Sequence, residues 1–163
     1  MSDIVATLMQ RFNNITSSEF RGQTRVVVAK ADAFAALQLL HSSGGFDLLV
    51  DITCVDYLNF RDAENRFGLV YLLANTTTSE RLTVRVYLGE EDLTVPSVVS
   101  IWKGADWMER EVYDMFGIVF ANHGDLRRIL MPDEFTAFPL RKDYPMQGRG
   151  ERHNFPVLSR DRS

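Results

Sequence analysis

The hydrophobic pattern of this 163-residue chain changes period several times, and each change predicts an element. In "SDIVATLMQRFNN" Ile4, Val5, Leu8, Met9 and Phe12 share one face at helical spacing, with Ser2 or Asp3 placed to cap. "TRVVVAK" (24–30) is short and β-branched and predicts a strand. "ADAFAALQLLHSSGG" predicts a helix: Phe34, Leu37, Leu40 and His41 recur along one side, and Gly44 with Gly45 stops it. Three strands follow. In "FDLLVDITC" Phe46, Leu48, Val50, Ile52 and Cys54 alternate with Asp47, Leu49, Asp51 and Thr53. "RFGLVYLLA" (66–74) is apolar on both faces, as an interior strand would be, and "RLTVRVYLG" (81–89) alternates cleanly. Their connections, "RDAEN" and "NTTTSE", are short and polar, which predicts an antiparallel meander. The order α-β-α-β-β-β predicts a two-layer α+β domain, with helices on one face of a mixed or antiparallel sheet. One further short helix and an extended C-terminal arm complete it. The expected division is a core over residues 1–120 and a tail over 121–163, punctuated by Pro132, Pro139, Pro145 and Pro156.

The last helix is expected at roughly 107–116. Asp106 and Glu109 have capping-box spacing, and Gly117 sits where a helix needs a left-handed residue to end, with Ile118 closing on Tyr113. Met108, Val112, Met115 and Phe116 form the expected buried stripe, while Trp107, Glu111 and Asp114 share another face beside Arg110.

Composition narrows the chemistry. The chain is 45% hydrophobic and 25% charged with mean hydropathy −0.13, ordinary for a folded domain, and its net charge of −4 gives no general reason to expect nucleic acid. Charge is uneven: residues 121–163 carry +2 and the remainder −6. Cys54 is the single cysteine, so an internal disulfide or a site built from several thiolates is impossible. It continues an inward series and is expected to be a small buried residue. No apolar run is long enough to span a bilayer, and the start lacks a basic segment, so no signal or transit peptide is expected.

The densest chemistry lies in "EREVYDMFGIVFANHGDLRRILMPDEF" (109–135), with six acids, three arginines and one histidine. Acid–base catalysis by a carboxylate pair is one reading, but no G-x-S-x-G, Walker A or G-x-G-x-x-G accompanies it. A metal site from Glu111, Asp114 and His123 is a second, weakened because His41, His123 and His153 are far apart in sequence. The plainer expectation makes His123 a loop histidine bonded to backbone, and Glu109 and Glu111 acids of a solvated face with weak ion pairs. The third reading is a scaffold in which Arg110, Arg127 and Arg128 answer Glu109, Glu111 and Asp114. These residue types leave open whether such a network is internal or faces a partner.

"EREVYDMF", six residues, then "HGDLRRIL" resembles the motif of the 30 kDa subunit family of respiratory complex I, the C-subunit family of bacterial NADH–quinone oxidoreductase, in its unfused form. "FDLLVDITCVDY", "RFGLVYLL", "VPSVVSIWKGADWMEREVYDMFGI" and "MPDEFTAFPLRKDYP" extend the resemblance over roughly residues 30–145, in the family's order. Gly124 stands where the family usually has proline; Ala137 and Phe138 stand where it usually has glycine and often histidine. The resemblance implies a non-catalytic structural subunit of the peripheral arm, in the quinone module. It would support electron transfer from NADH to quinone, coupled to proton translocation. No cofactor is then expected on this chain; FMN, iron–sulfur clusters and quinone would belong to other subunits. The implied partners are the 49 kDa quinone-site subunit and the subunits bearing the terminal clusters, and the implied location is the cytoplasmic side of a bacterial inner membrane, held peripherally. A homologous subunit of a membrane-bound hydrogenase, formate hydrogenlyase or ferredoxin-driven plastid-type dehydrogenase is the alternative. The motif residues for docking or ion pairing are Glu109, Arg110, Glu111, Asp114, His123, Arg127, Arg128, Arg141, Lys142 and Asp143. The tail is expected to lie across partner subunits, against the alternative that it folds back on its own domain.

Overall fold

The computed structural model describes residues 2–150. Residues 151–163 and the side chains of Ser2 and Asp3, with the helix cap expected there, lie outside the described residues. Helix α1 (Ser2–Arg11) leads into strands β1 (Thr16–Phe20) and β2 (Gln23–Val27), helix α2 (Ala33–Ser42), and strands β3 (Leu48–Asp56), β4 (Phe67–Ala74) and β5 (Arg81–Leu88). The short strand β6 (Thr94–Pro96), helix α3 (Ala105–Phe116) and strand β7 (Val119–Ala121) follow.

The main sheet has the order β1-β2-β5-β4-β3 and is mixed: β3-β4-β5 is the expected antiparallel meander, while β2 runs parallel to β5 across the crossover through α2. Period-2 burial drives the arrangement. Leu82, Val84, Val86 and Leu88 of β5 and Phe67, Leu69, Tyr71 and Leu73 of β4 are all buried on the inward face. They form one core with Leu8 of α1, Ala36, Leu37 and Leu40 of α2, and Val112, Met115 and Phe116 of α3. Phe34, half-buried, and His41, exposed, lie at the margin of the expected α2 stripe.

Two features depart from the sequence expectation. Strand β1 was not expected. It forms a hairpin with β2 through Arg21 and Gly22, both at positive φ (51° and 75°), the conformation a two-residue turn requires. In β3 the apolar series reverses phase: the register with β4 shifts between Leu49 and Asp51, leaving Val50 as an extra residue. Leu48 and Val50, expected inward, are exposed, whereas Leu49, Ile52 and Cys54 are buried. A bulge inserts one residue, and a one-residue shift moves the strand's side chains before it to the other face; Phe46, ahead of the strand, is buried as expected. The phase that follows also brings Asp56 inward.

The described tail lies against the body. Met115 and Phe116 carbonyls at the end of α3 accept the Leu140 N–H (3.2 Å) and Arg141 Nε (2.6 Å), and the Asp56 carboxylate accepts the Lys142 N–H (2.8 Å). Residues 121–150 therefore show the fold-back arrangement, while the Arg127 and Lys142 side chains stay exposed.

Candidate functional site

Helix α3 begins at Ala105, two residues before the expected start, because Ala105 packs in the core. The Asp106–Glu109 capping box does not form: Gly104 is the N-cap, with no side-chain cap hydrogen bond. Glu109 instead turns fully inward, where Oε1 accepts the Val98 N–H at 2.6 Å and Oε2 is buried without a hydrogen-bond partner. The reading of Glu109 as a solvated surface acid is thereby corrected. Burial drives its carboxyl above the ordinary glutamate range, against the pull of the Val98 N–H. The C-terminal end is as expected. Gly117 is left-handed (φ 76°), its N–H bonds the Tyr113 carbonyl, and the following Ile118 is buried.

His123 lies over the first turns of α3 with its side chain fully buried. Its Nδ1 accepts the Asp125 N–H (3.1 Å), so in the neutral ring the hydrogen is on Nε2. That nitrogen faces the Asp106 carbonyl and carboxylate, both at 3.2 Å, and Glu109 Oε2 at 3.9 Å.

The centre of the motif is Asp114. Expected on a different face from the buried stripe, with Trp107 and Glu111, it is fully buried, because residues 128–131 close over it. Oδ2 accepts three successive backbone N–H groups, from Ile129 (3.0 Å), Leu130 (2.7 Å) and Met131 (2.8 Å). Oδ1 takes Arg128 Nη1 at 2.6 Å. Burial pushes the Asp114 carboxyl up, but the Met131, Leu130 and Ile129 N–H groups and Arg128 outweigh it and hold it below the usual range. Arg128 also donates to the Ala137 carbonyl (3.1 Å) and lies over the Phe135 and Phe138 rings. From the same helix Arg110, stacked on Trp107, donates to the Arg127 and Arg128 carbonyls (3.3 and 3.2 Å). "EREVYDMF" and "DLRRIL" thus meet face to face: the first supplies a buried carboxylate and a guanidinium, the second the groups that answer them.

A second lock was not among the sequence candidates. Asp56 accepts Arg66 Nε (3.3 Å) and Nη2 (3.2 Å), the Leu58 N–H (2.9 Å) and the Lys142 N–H. Arg66 reaches on to Asp143 at 2.9 Å and to Glu90. Hydrogen bonds to Arg66, Lys142 and Leu58 outweigh burial and lower the Asp56 carboxyl. The available signal was its place two residues beyond Cys54 on the inward face, where a carboxylate must find donors. Arg141 packs over Phe67 and Phe138, and burial lowers its pKa.

The site therefore gathers Arg110, Asp114 and Arg128 into one network and Glu109 and His123 into another, with Lys142 and Asp143 at the Asp56 lock. The Arg127 side chain pairs with its neighbour Asp125, and Glu111 is exposed. His123 does not join Glu111 and Asp114 as the metal reading required; among the described residues no group of three or more His, Cys, Asp or Glu side chains is arranged to hold a metal ion. No helix among them is long and apolar enough to cross a membrane.

The family described as the respiratory-chain NADH dehydrogenase 30 kDa subunit matches residues 26–150. The chain is 42% identical over 146 residues to the C subunit of NADH-quinone oxidoreductase from Citrifermentans bemidjiense, covering 88% of this chain and 89% of that one. Its fold is similar to that of Nqo5, solved as a trypsin-resistant fragment. There the TM-score is 0.66 and the identity 34%, over 77% of this chain and 95% of the fragment. It is also similar to a chain of the membrane-bound sulfane sulfur reductase, an archaeal respiratory membrane complex. In that case the TM-score is 0.77 and the identity 25%, over 98% of this chain and 93% of the other.

Proposed function

This chain belongs to the family of the 30 kDa subunit of respiratory-chain NADH dehydrogenase, and on that premise we propose how it serves as a peripheral-arm subunit of an NADH–quinone oxidoreductase. Its role is structural. The observation that carries this is the Asp114 network: the buried carboxylate at the centre of the family motif is answered within the chain, by three N–H groups and one arginine. A carboxylate held this way is a poor base and a poor metal ligand, because its lone pairs are already engaged. It is a good clamp. The motif fixes the tail's path across α3, and what remains outside, Trp107, Glu111, Arg127, Leu130, Leu140 and Lys142, is the surface the clamp presents.

Other subunits of the complex are its partners. We assign the first of these contacts to the quinone-site subunit of 49 kDa and to the subunits with the terminal iron–sulfur clusters. Flavin, clusters and quinone belong to other subunits of the complex, and membrane contact, on the cytoplasmic side, is made only through the complex. The archaeal sulfane sulfur reductase supports the alternative of a related respiratory complex, but the 42% identity to an NADH–quinone oxidoreductase subunit favours the first reading.

The test uses a tagged copy of the full chain. Captured from detergent-solubilised membranes of the source cell, it should bring NADH–quinone reductase activity with it. The same chain purified by itself should be colourless, with no stoichiometric iron, zinc or flavin by elemental analysis and visible spectrum. Metal or flavin bound by the lone chain would overturn the structural role; capture without NADH–quinone reductase activity would overturn the complex assigned.

A further inference from the structure

Beside the end of β3, on the sheet face turned away from the core, three aromatic rings form a corner. Tyr57 follows β3, Tyr87 ends the outward series of β5, and Phe60 comes from the β3–β4 loop. The Tyr57 ring meets Phe60 at 6.0 Å and 77° and Tyr87 at 6.1 Å and 52°, so the rings stand as walls and do not stack flat. Gly68 of β4, which pairs with both Val55 and Tyr87, makes room for them. A Cβ there would lie 2.8 Å from the Tyr57 ring and 3.4 Å from that of Tyr87. The rings border an open cleft of about 310 Å³, completed by Asp62, Ala63, Glu64 and Asn65.

Two observations set this cleft apart from an accidental hollow. Phe60 is 68% exposed, yet it is held in place: its N–H bonds the Tyr57 carbonyl at 2.8 Å, and the Tyr57 N–H bonds the Arg66 carbonyl at 2.7 Å across the loop's base. The charges around it are mostly negative. With Arg66 committed to Asp56, Glu90 and Asp143, the loop's remaining charges are Arg61 against Asp62 and Glu64, and Glu91 stands across an adjoining depression; on the sheet face itself Arg85, two residues before Tyr87, adds one cation near Tyr57 and leaves three acids against two arginines. Aromatic faces present negative potential, and acids at the rim add to it. Such a corner favours a weakly hydrated organic cation over an anion or a neutral group.

We propose that the Tyr57–Phe60–Tyr87 cleft is a receptor for the guanidinium or ammonium group of a basic side chain on a partner polypeptide. The cleft's size suits one long side chain with its flanking backbone, and a planar guanidinium can lie against a ring while its N–H groups reach Asp62 or Glu64. That the cation arrives on a polypeptide rests on the multi-subunit reading above; the cleft's preference for a cation does not.

The test is a titration of the full chain followed by amide and aromatic resonances. The probes are an acetylated, amidated Gly-Arg-Gly peptide, its citrulline counterpart and spermine. The arginine peptide should shift Tyr57, Phe60, Gly68 and Tyr87 saturably. Replacing arginine by citrulline, or Phe60→Ala in the protein, should weaken binding about fivefold or more. Phe60→Ala removes an exposed ring and should melt like the parent; Tyr87→Leu is the second variant should it not. Equal binding of the citrulline peptide, unchanged affinity in both variants, or no saturable shift would overturn the proposal. Spermine binding more tightly than the peptide, at the same residues, would overturn the polypeptide source. Failure of the tagged chain to capture a complex, with arginine binding intact, would sink the assembly reading alone.

Discussion

Asp114 ties a long stretch of the tail to one helix, since the arginine it holds also packs over Phe135 and Phe138. Removing one partner of a buried charge pair leaves the other uncompensated, which commonly costs about 3–5 kcal/mol. Asp114→Ala should therefore lower the unfolding free energy obtained from denaturant melts by an amount in that range, and a loss below about 1 kcal/mol would show the tail is held by other contacts. Its lowered pKa fixes the pH sense. The contribution is present above the ordinary aspartate value of 3.8 and is lost as pH falls through the depressed folded value. Glu109 works in the opposite sense. Its folded pKa is raised above the ordinary 4.5, so the folded state holds the proton more tightly, and stability falls as pH rises from 4.5 through the raised value. Glu109→Gln keeps an acceptor for the Val98 N–H and cannot ionise. The variant's stability relative to the parent should rise with pH over that window; a constant difference would mean that Glu109 does not titrate there. Cys54, by contrast, is inert: burial and the nearby Asp56 push its thiol up to about 12.

At the scale of elements, α3 is marginal as an isolated helix of 12 residues and depends on what closes its two ends. At its C-terminus Gly117 serves twice. Its φ of 76° is unfavourable for a residue with a Cβ, and a Cβ would meet Phe138 at 2.6 Å and Arg141 Nη2 at 2.8 Å. Gly117→Ala should destabilise by about 1–3 kcal/mol, combining backbone strain with displacement of the packed ring. The companion Phe138→Ala gives the contrast, because in its background the steric part of the Gly117→Ala penalty should shrink. Additive losses in the double variant would assign the whole effect to the backbone.

For the whole molecule, the question is whether residues 123–150 belong to the domain. They supply the donors to Asp114, the Lys142 N–H to Asp56, and the cover over the end of α3. Ending the chain at Asn122 removes the donors described at Asp114 and one of those at Asp56, which for a domain of this size should lower the melting temperature by on the order of 10 °C. A truncated chain melting cooperatively at the full-length temperature would show that the tail is ordered by partner subunits alone. Docking and internal clamping are compatible, since the exposed Trp107, Leu130 and Leu140 lie on segments whose backbones the clamps hold.

The apolar periodicity alone determined the α+β class, the β3-β4-β5 meander, the α2 and α3 helices and the stop at Gly117, because each rests on contacts local in sequence or on one residue's backbone preference. The motif likewise marked the stretch that matters. Hidden were the β1–β2 hairpin, whose strand β1 is exposed throughout and so carries no alternation, and the bulge at Val50, which reversed the inward series one residue before Asp51. Hidden too were the fates of the charges. Glu109, Glu111 and Asp114 are the same chemistry within six positions of one helix, yet one lies buried beside His123, one is exposed, and one is closed under residues 129–131. Burial of a carboxylate depends on where donors distant in the chain come to rest, and that is decided only when the tail crosses the helix.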